Sequence, residues 1–267
     1  MRLIRRLYRI LLLLLHVPLG VLITLALGRP DEAGLPRPRF RRAILLWYRA
    51  FCRIMGLRIH VQGEPSAQTV LSVSNHVSWL DIPVLGAHVP AGFLSKSEVR
   101  QWPVIGWLAQ RNGTVFIRRG EHGAANEVTD KMTDHLKAGG SVHVFPEGTT
   151  TVGESVRRFH YRLFSAAQRS QCPVQPVGLY YRPLSDGSDS PMPFVNNDKL
   201  VPHTWRVLGE KRLEVDLVFK PLIPVEGADR RTLARTAEQA VAEVVMAGQQ
   251  AAGRLSPSGG SGNGADR

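Results

Sequence analysis

The hydrophobic pattern begins with a basic, strongly apolar N-terminus. Four arginines lie within the first nine residues, and an uncharged apolar run follows at positions 10–28. A run of this length can just cross a bilayer core, although His16 and Pro18 weaken it as a simple span. It also fits a segment that enters one leaflet and returns, or a cleavable signal peptide. The basic cluster RPRFRR that follows favours retention over cleavage.

A second apolar pattern lies in the sequence AILLWYRAFCRIMG, where Arg49 and Arg53 interrupt apolar residues that recur at helical spacing. The predicted apolar face consists of Leu45, Leu46, Tyr48, Phe51, Ile54 and Met55. Such a helix can lie in the membrane interface or pack against a core, and the pattern leaves both alternatives open.

From residue 57 onward the pattern is that of a globular domain. Strands are predicted for LRIHVQG, QTVLSVSN, GFLSK, GTVFIRR, SVHVFPEG, VQPVGLYY and LEVDLVFK. Helices are predicted for DIPVLGAHV, positions 124–138, FHYRLFSAAQRS and RTLARTAEQAVAEVVMAGQQ, with a loop at WPVIGWLAQRN. Because strands alternate with helices, we expect an α/β fold with a mixed, mostly parallel sheet flanked by helices.

This pattern predicts three parts along the chain. Residues 1–57 form an N-terminal membrane anchor with an amphipathic helix, and residues 58–254 form one globular domain. The end of the chain, 255–267, is rich in glycine and serine and is expected to be disordered.

The charge narrows the class of partner. The formal net charge of +12 suits nucleic acid, an anionic membrane surface or a phosphorylated substrate. Basic residues crowd around apolar stretches, and no nucleic-acid-binding motif is present, so a membrane surface is favoured over nucleic acid. Cys52 and Cys172 form no CxxC motif or Cys/His cluster. We therefore expect no metal site and no disulfide framework, as is usual in a reducing compartment.

The candidate chemistry starts with His76 and Asp81 in the sequence SVSNHVSWLD. A five-residue offset rotates about 140° around a helix, and on a strand it places side chains on opposite faces, so the pair can meet only across a turn. A neutral histidine held by a carboxylate is a general base suited to neutral pH. The sequence has no G-x-S-x-G motif, so a nucleophile is expected from the substrate, for example an alcohol. The structural alternative is a turn with a capping aspartate.

Other polar residues follow predicted strands. Glu147 lies at the end of the predicted strand SVHVFPEG. Arg118 and Arg119 lie at the end of the predicted strand GTVFIRR. Functional groups in α/β sheets gather at such strand ends, so these side chains are expected near His76.

Four segments carry a resemblance to a known family. NHVSWLD, FLSKSEV with WPVIGWLAQRNGTVFIRR, FPEGTT and QCPVQPVGLYY resemble, in order and spacing, the four blocks of the glycerolipid and lysophospholipid acyltransferase family. The resemblance to its 1-acylglycerol-3-phosphate acyltransferase members covers residues 70–182. It implies the fold of that family and makes 58–254 the acyltransferase domain.

The resemblance also implies an activity and roles for residues. A fatty acyl group would move from a coenzyme A or acyl-carrier-protein thioester to the free hydroxyl of a lysolipid, with no cofactor besides that donor. His76 and Asp81 would form a charge-relay-like dyad, and Glu147 and Gly148 would belong to the acceptor site.

Further roles are expected from side-chain chemistry. Arg118 and Arg119 suit a phosphate, because guanidinium groups bind its oxygens in a bidentate fork. Gly148 and Thr149 would let the backbone approach the head group. Lys96, or backbone amides in the turn after His76, are candidate donors to the oxyanion.

One departure concerns the acceptor. Many family members carry an arginine and a serine after FPEGT, whereas Thr150 stands here, and Arg157 or Arg158 could supply the missing charge. The first expectation is 1-acyl-sn-glycerol-3-phosphate, giving phosphatidic acid, at the cytoplasmic face of the inner membrane. The alternatives are another lysolipid such as lyso-ornithine lipid, a thioesterase-like hydrolase, and a non-enzymatic membrane-surface protein.

Overall fold

The computed structural model describes residues 1–117, 124–195 and 198–255. Its helices are α1 (Arg2–Leu27), α2 (Pro38–Met55), α3 (Asp81–Gly86), α4 (Ser97–Arg100), α5 (Ile105–Arg111), α6 (Ala124–Lys137), α7 (Ser165–Ser170), α8 (Leu200–Gly209) and α9 (Arg230–Ala251). Its strands are β1 (Leu57–Gln62), β2 (Leu71–Ser74), β3 (Gly92–Lys96), β4 (Val115–Ile117), β5 (Val142–Val144), β6 (Val174–Tyr181) and β7 (Leu213–Phe219). A 3₁₀ helix, Tyr161–Phe164, precedes α7.

The strands form one sheet in the order β1-β7-β6-β2-β5-β3-β4. Strands β2 to β6 are parallel to one another, β1 is parallel to β7, and β7 is antiparallel to β6. All residues of β2, β5 and β6 are buried, as expected for central strands that are covered on both faces. The predicted mixed, mostly parallel sheet is confirmed, and β2, β5 and β6 end at the same edge.

Helices cover the two faces of the sheet and create two cores. On one face α2, α3 and α8 contribute side chains such as Met55, Leu85 and Leu208. On the other face α6, α7 and α9 contribute side chains such as Met132 and Ala167. The two faces therefore carry different sets of helices, and α1 joins the first set through Ile10 and Leu13.

Helix α1 packs along the domain with one face. The residues buried on that face are Arg9, His16, Gly20 and Thr24. The indole of Trp47 in α2 stacks on the His16 ring at 4.6 Å and donates a hydrogen bond of 3.0 Å to the His16 carbonyl. A Cβ at Gly20 would lie 2.8 Å from the same indole, so glycine permits this approach. Of the described helices, α1 is long and apolar enough to cross a membrane by length and composition.

The basic N-terminus binds the C-terminal end of α8. Arg9 is buried and donates hydrogen bonds to the carbonyls of Leu208 at 3.1 Å and Glu210 at 2.7 Å. Arg5 and Arg6 donate to carbonyls at the same end of α8. The last carbonyls of a helix lack partners within the helix and carry its negative dipole end, so cations are favoured there. These arginines thus serve the fold, which the sequence pattern alone did not indicate.

Several predicted elements differ from the structure. The expected loop at WPVIGWLAQRN contains α5, which begins after Pro103 and places Gly106 so close to Arg100 that a Cβ would lie 2.3 Å from its carbonyl oxygen. The segment FHYRLFSAAQRS divides into the 3₁₀ helix and the short α7. Helix α8 was not predicted, because Pro202 interrupts its pattern, yet proline is compatible with the first turn of a helix.

The apolar face of α2 agrees only in part with the predicted one: Met55 is buried, and Tyr48 and Phe51 pack against the core. Leu46 is 62% exposed, whereas the buried residues are Phe40, Ile44, Cys52 and Met55. These recur at intervals of three, four or eight, and they face α1 and α3, which pack on this side of the helix. Helix α2 therefore packs against the rest of the protein with the face that carries these buried residues.

Candidate active site

The turn between β2 and α3 brings His76 and Asp81 together. His76 Nδ1 lies 2.7 Å from Asp81 Oδ2. Asn75 fixes the start of this turn, because its amide donates to the Leu179 carbonyl and accepts from the Leu179 amide, each at 2.9 Å. The five-residue spacing is therefore closed across a turn that is attached to β6.

Asp81 is fully buried and accepts hydrogen bonds on both oxygens. Besides the imidazole, Oδ2 accepts from the backbone amides of Val77 at 2.7 Å and Ser78 at 2.9 Å. The Tyr181 hydroxyl donates to Oδ1 at 2.6 Å. Burial, and then Asp81, raise the pKa of Tyr181 well above its usual value, so its hydroxyl stays protonated as a donor. Four donors therefore satisfy both oxygens of the buried carboxyl group.

The acceptor character of Asp81 fixes the orientation of the His76 ring. A carboxylate can only accept, so Nδ1 carries the proton and Nε2 keeps its lone pair when the ring is neutral. The His76 side chain is 20% exposed, which leaves part of the ring accessible to solvent. One face of the ring stacks on Phe145, with centroids 3.9 Å apart and planes 16° apart. The ring is therefore held by packing and by one hydrogen bond.

A second histidine, His143, lies next to Phe145, with the ring centroids 5.0 Å apart. His143 is fully buried and lies between the hydroxyls of Ser72 at 2.9 Å and Ser74 at 3.0 Å. Burial, with a smaller effect of nearby His76, lowers the pKa of His143 to about 3. Ser74 donates to the Asn75 carbonyl, so it accepts from His143 Nε2, and Ser72 donates to Nδ1. His143 is therefore a neutral structural residue.

Glu147 connects two loops at the edge of the sheet. Its Oε1 accepts from the His76 backbone amide at 2.7 Å, and its Oε2 accepts from the Arg157 backbone amide at 2.9 Å. The side chain is buried, and burial raises its pKa, which these two hydrogen bonds oppose. Both carboxylate oxygens are thus used to position backbone, and the expected contact with substrate stays a prediction.

The turn after Glu147 closes over the dyad. Gly148 has φ +73°, a conformation that favours glycine, and an added Cβ would lie 3.2 Å from the His160 ring. Thr149 is exposed, whereas the Thr150 hydroxyl donates to the Phe194 carbonyl at 2.5 Å. The Thr151 amide donates to the His76 carbonyl at 2.8 Å. The threonines therefore attach this turn to both neighbouring loops.

Trp79 attaches the turn between β2 and α3 to α8. Its indole donates to His203 Nδ1 at 3.1 Å, and His203 Nε2 lies 3.1 Å from the Pro193 carbonyl. Burial lowers the pKa of His203, which fits a neutral ring that accepts at Nδ1 and donates at Nε2. Helix α8 therefore contacts α1 at its C-terminal end and the candidate site through His203.

The other predicted site residues lie at the same edge or outside the described residues. Lys96 ends β3 and is exposed. It is two strands from β2, or about 10 Å sideways at the usual strand spacing. Arg118 and Arg119 fall outside the described residues. Arg157 and Arg158 have exposed side chains near Glu147. Among the described residues, no group of three or more His, Cys, Asp or Glu side chains could hold a metal ion.

Two residues of the site were missed by sequence reasoning. Tyr181 holds Asp81 although the two lie 100 positions apart, and Phe145 supports the His76 ring. One signal was available for both: Tyr181 ends the buried strand β6, and Phe145 directly follows the buried strand β5. The sequence could not show which partner each would contact.

Comparisons with known proteins agree with the resemblance seen in the sequence. The family model described as acyltransferase matches residues 58–180. The lyso-ornithine lipid O-acyltransferase of Pseudomonas aeruginosa is 42% identical over 242 residues, which cover 87% of this chain and 93% of that protein. The 1-acyl-sn-glycerol-3-phosphate acyltransferase of Neisseria gonorrhoeae is 31% identical over 219 residues, which cover 81% of this chain and 86% of that protein.

A solved structure shares the fold. The crystal structure of the 1-acyl-sn-glycerophosphate (LPA) acyltransferase PlsC from Thermotoga maritima superposes with a TM-score of 0.71 at 21% identity. The match covers 96% of this chain and 100% of that one.

Proposed function

This chain belongs to the lysophospholipid acyltransferase family, and from that premise we propose that His76 is the general base that activates a lysolipid hydroxyl for acyl transfer. The observation that carries the proposal is the orientation of the His76 ring. Its Nδ1 faces the buried Asp81 carboxylate at 2.7 Å, its side chain is 20% exposed, and its Nε2 is left for a substrate.

The acyl group can pass directly from the thioester to the lysolipid hydroxyl, without a covalent enzyme intermediate. His76 Nε2 takes the hydroxyl proton while the lysolipid oxygen forms a bond to the thioester carbon. The C–S bond then breaks, and the imidazolium returns the proton to the leaving thiolate. Asp81 stabilises the imidazolium, and its other hydrogen bonds hold the carboxylate in place beside the ring. General-base help of this kind contributes on the order of 10²–10⁴-fold in rate.

The oxyanion of the intermediate needs a donor. The backbone amides of Val77 and Ser78 are used by Asp81, so they are poor candidates. Lys96 is the remaining candidate named from the sequence, and a flexible ammonium group could reach across from the end of β3. In this proposal Lys96 approaches the thioester oxygen when the donor binds.

We infer that the acceptor is lyso-ornithine lipid. The relative from P. aeruginosa with that name is 42% identical over 93% of its length. The uncharged Thr150 hydroxyl is engaged by the Phe194 carbonyl, where an arginine would add a positive charge for a phosphate. Ornithine carries an amine and a carboxyl group, so its lipid does not require that charge.

The second candidate acceptor is 1-acyl-sn-glycerol-3-phosphate. The relative from N. gonorrhoeae with this substrate in its name supports it, and the basic residues Arg118, Arg119, Arg157 and Arg158 could bind a phosphate. The product would then be phosphatidic acid. In both cases the donor is acyl-coenzyme A or acyl-carrier protein, and we propose no resident cofactor.

The proposed function includes binding to the cytoplasmic surface of a membrane. The face of α1 that points away from α2 and α8 carries exposed leucines: Leu11, Leu12, Leu14, Leu15, Leu19 and Leu22. A helix with one face held by a folded domain and an apolar outer face is suited to lie in the membrane interface. The lysolipid would then reach His76 without leaving the bilayer surface.

The test is an acyl-transfer assay with the full chain in vesicles. Radiolabelled acyl-coenzyme A and acyl-carrier protein are offered with lyso-ornithine lipid, 1-acyl-sn-glycerol-3-phosphate or no acceptor. His76→Ala should lose nearly all transfer, whereas the control His60→Ala, in the edge strand β1, should retain it. Acyl release that needs no acceptor would identify a hydrolase instead. Retention of more than about a tenth of the parent rate in His76→Ala would remove the general-base assignment.

A further inference from the structure

A polar cavity lies away from the candidate active site, on the face of the sheet covered by α6, α7 and α9. Its volume is about 830 Å³, which is within the range of small-molecule sites. Polar side chains line it, including Arg162, Arg169, Arg230, Ser165 and Gln168. The composition favours a charged, hydrogen-bonding ligand over an apolar one.

The arginines of this cavity are not neutralised equally. Arg169 forms an ion pair of 2.6 Å with Asp130. Within the described parts of the chain, Arg162, Arg230 and the adjacent Arg231 have no salt-bridge partner. Three guanidinium groups in one region create a local positive potential. This potential favours binding of an anion that carries more than one negative charge.

Tyr161 holds two of these arginines in place. The guanidinium groups of Arg230 and Arg231 lie 5.3 and 5.2 Å from the centre of its ring. Hydrogen bonds from Arg231 and Arg162 lower the pKa of the Tyr161 hydroxyl. Arg230 also lies 3.3 Å from the Ser165 hydroxyl. These contacts gather the guanidinium groups around Tyr161, on one side of the cavity.

A short stretch of chain connects the cavity to the candidate active site. Glu147 accepts from the Arg157 amide, and the Phe159 amide donates to Glu238 of α9 at 2.7 Å. His160 adjoins Gly148, and Tyr161 is the next residue. Residues 157–161 therefore lead from the candidate active site to the edge of the cavity at Arg162.

The position of the cavity argues for a water-soluble ligand. Helix α1, with its exposed leucines, belongs to the opposite face of the sheet. A lipid head group at the surface bound by α1 would not reach α6, α7 and α9. The concave shape also suits a small molecule better than the flat contact area of a protein partner.

Resting on the proposed acyl transfer, we propose that this cavity binds the phosphorylated nucleotide end of an acyl-coenzyme A donor. The arginines bind its phosphates, and Gln168 and Ser165 offer hydrogen bonds to the nucleoside. The pantetheine arm then extends along residues 157–161 and places the thioester beside His76. The reaction itself is unchanged, so the cavity determines donor choice and affinity.

The experiment compares two donors that share the thioester. Palmitoyl-coenzyme A carries the nucleotide, and palmitoyl-pantetheine lacks it and its phosphates. Arg162→Ala and Arg230→Ala should each raise KM for palmitoyl-coenzyme A about tenfold, as expected for one charge-assisted hydrogen bond. KM for palmitoyl-pantetheine and for the lysolipid should change less than twofold. Arg162→Lys should fall between, and Arg58→Ala, in β1, should match the parent.

A direct binding measurement keeps the proposal testable in every case. Adenosine 3′,5′-bisphosphate should bind the parent protein in calorimetry and compete with palmitoyl-coenzyme A, and the double variant should bind it at least tenfold more weakly. Equal effects on both donors, or equal binding of adenosine 3′,5′-bisphosphate by the parent and the double variant, would overturn the proposal. Absence of all transfer by the parent would instead contradict the proposed function, and calorimetry would still decide about the cavity.

Discussion

Replacing Asp81 by asparagine removes one charge and preserves the shape of the site. Oδ2 receives three N–H donors, from His76, Val77 and Ser78, so the amide oxygen must take that position. The amide NH₂ then faces the Tyr181 hydroxyl, whose oxygen can accept a hydrogen bond. His76 should keep its proton on Nδ1, and the fold should be retained. The change therefore isolates the negative charge beside the imidazole.

The magnitude follows from the 2.7 Å separation of His76 Nδ1 and Asp81 Oδ2. At an effective dielectric constant of about 20, two unit charges at this distance attract by about 6 kcal/mol, which is an upper limit. The difference between a charged and a neutral hydrogen bond gives a lower limit of about 1 kcal/mol. A general base contributes 10²–10⁴-fold, or about 3–5 kcal/mol of the barrier. We expect Asp81→Asn to lower kcat by about 10²–10⁴-fold.

The assay is steady-state acyl transfer in vesicles, with thermal unfolding as the control for folding. His76→Ala and the double variant His76→Ala/Asp81→Asn should be measured beside Asp81→Asn. Because the two residues act as one unit, the double variant should be no slower than His76→Ala by more than about threefold. A well-folded Asp81→Asn enzyme with more than a tenth of the parent kcat would refute the reasoning. A loss of kcat in the double variant equal to the product of the two single-variant losses would also refute it, since the two residues would then act independently.

Three other predictions concern stability and the turn. Arg9→Met should lower the free energy of unfolding, measured by urea titration, by about 1–3 kcal/mol, because it leaves carbonyls at the end of α8 unpaired. The control Arg2→Ala should change it by less than about 0.5 kcal/mol, because the Arg2 side chain is 67% exposed. Gly148→Ala and Gly187→Ala both place alanine at positive φ, so each should lower the free energy of unfolding by about 1–2 kcal/mol. Only Gly148→Ala should also reduce the rate of acyl transfer. Equal transfer rates in the two variants would contradict a role of the Gly148 turn in the site. His143 has a pKa of about 3 in the fold, so between pH 6.5 and 3 the unfolded chain binds a proton that the folded chain does not. Stability should therefore fall as the pH falls, by up to about 1.4 kcal/mol per unit, and urea unfolding at pH 7 and 5 should show a smaller loss for a His143→Gln variant.

Most of the strands could be predicted because their signal is local. The buried runs that became β2, β5 and β6 are bounded by turn residues, and β7 alternates buried and half-buried positions along its length. Helices α5 and α8 were missed because Pro103 and Pro202 lie near their starts, where proline is tolerated. The face of α2 was misjudged at Leu46, since the side that is buried depends on where α1 and α3 lie.

The candidate site could be predicted in part. The positions of His76 and Asp81 around a turn follow from their spacing, and Glu147 follows a buried strand. The use of the Glu147 carboxylate to hold two backbone amides did not follow from the sequence. Backbone amides carry no residue-specific signal, so a contact to one of them cannot be identified from residue types.

By itself the sequence determined the alternation of most strands and helices along the chain, the apolar N-terminus and the residues that stand at strand ends. These are set by periodicity and by turn residues among near neighbours. The tertiary structure alone decided that Tyr181 holds Asp81 across 100 positions, that Glu147 holds the His76 backbone across 71, and that Arg9 binds the end of α8. Such partners meet only because the sheet places β2 between β5 and β6 and because α1 docks on the finished domain.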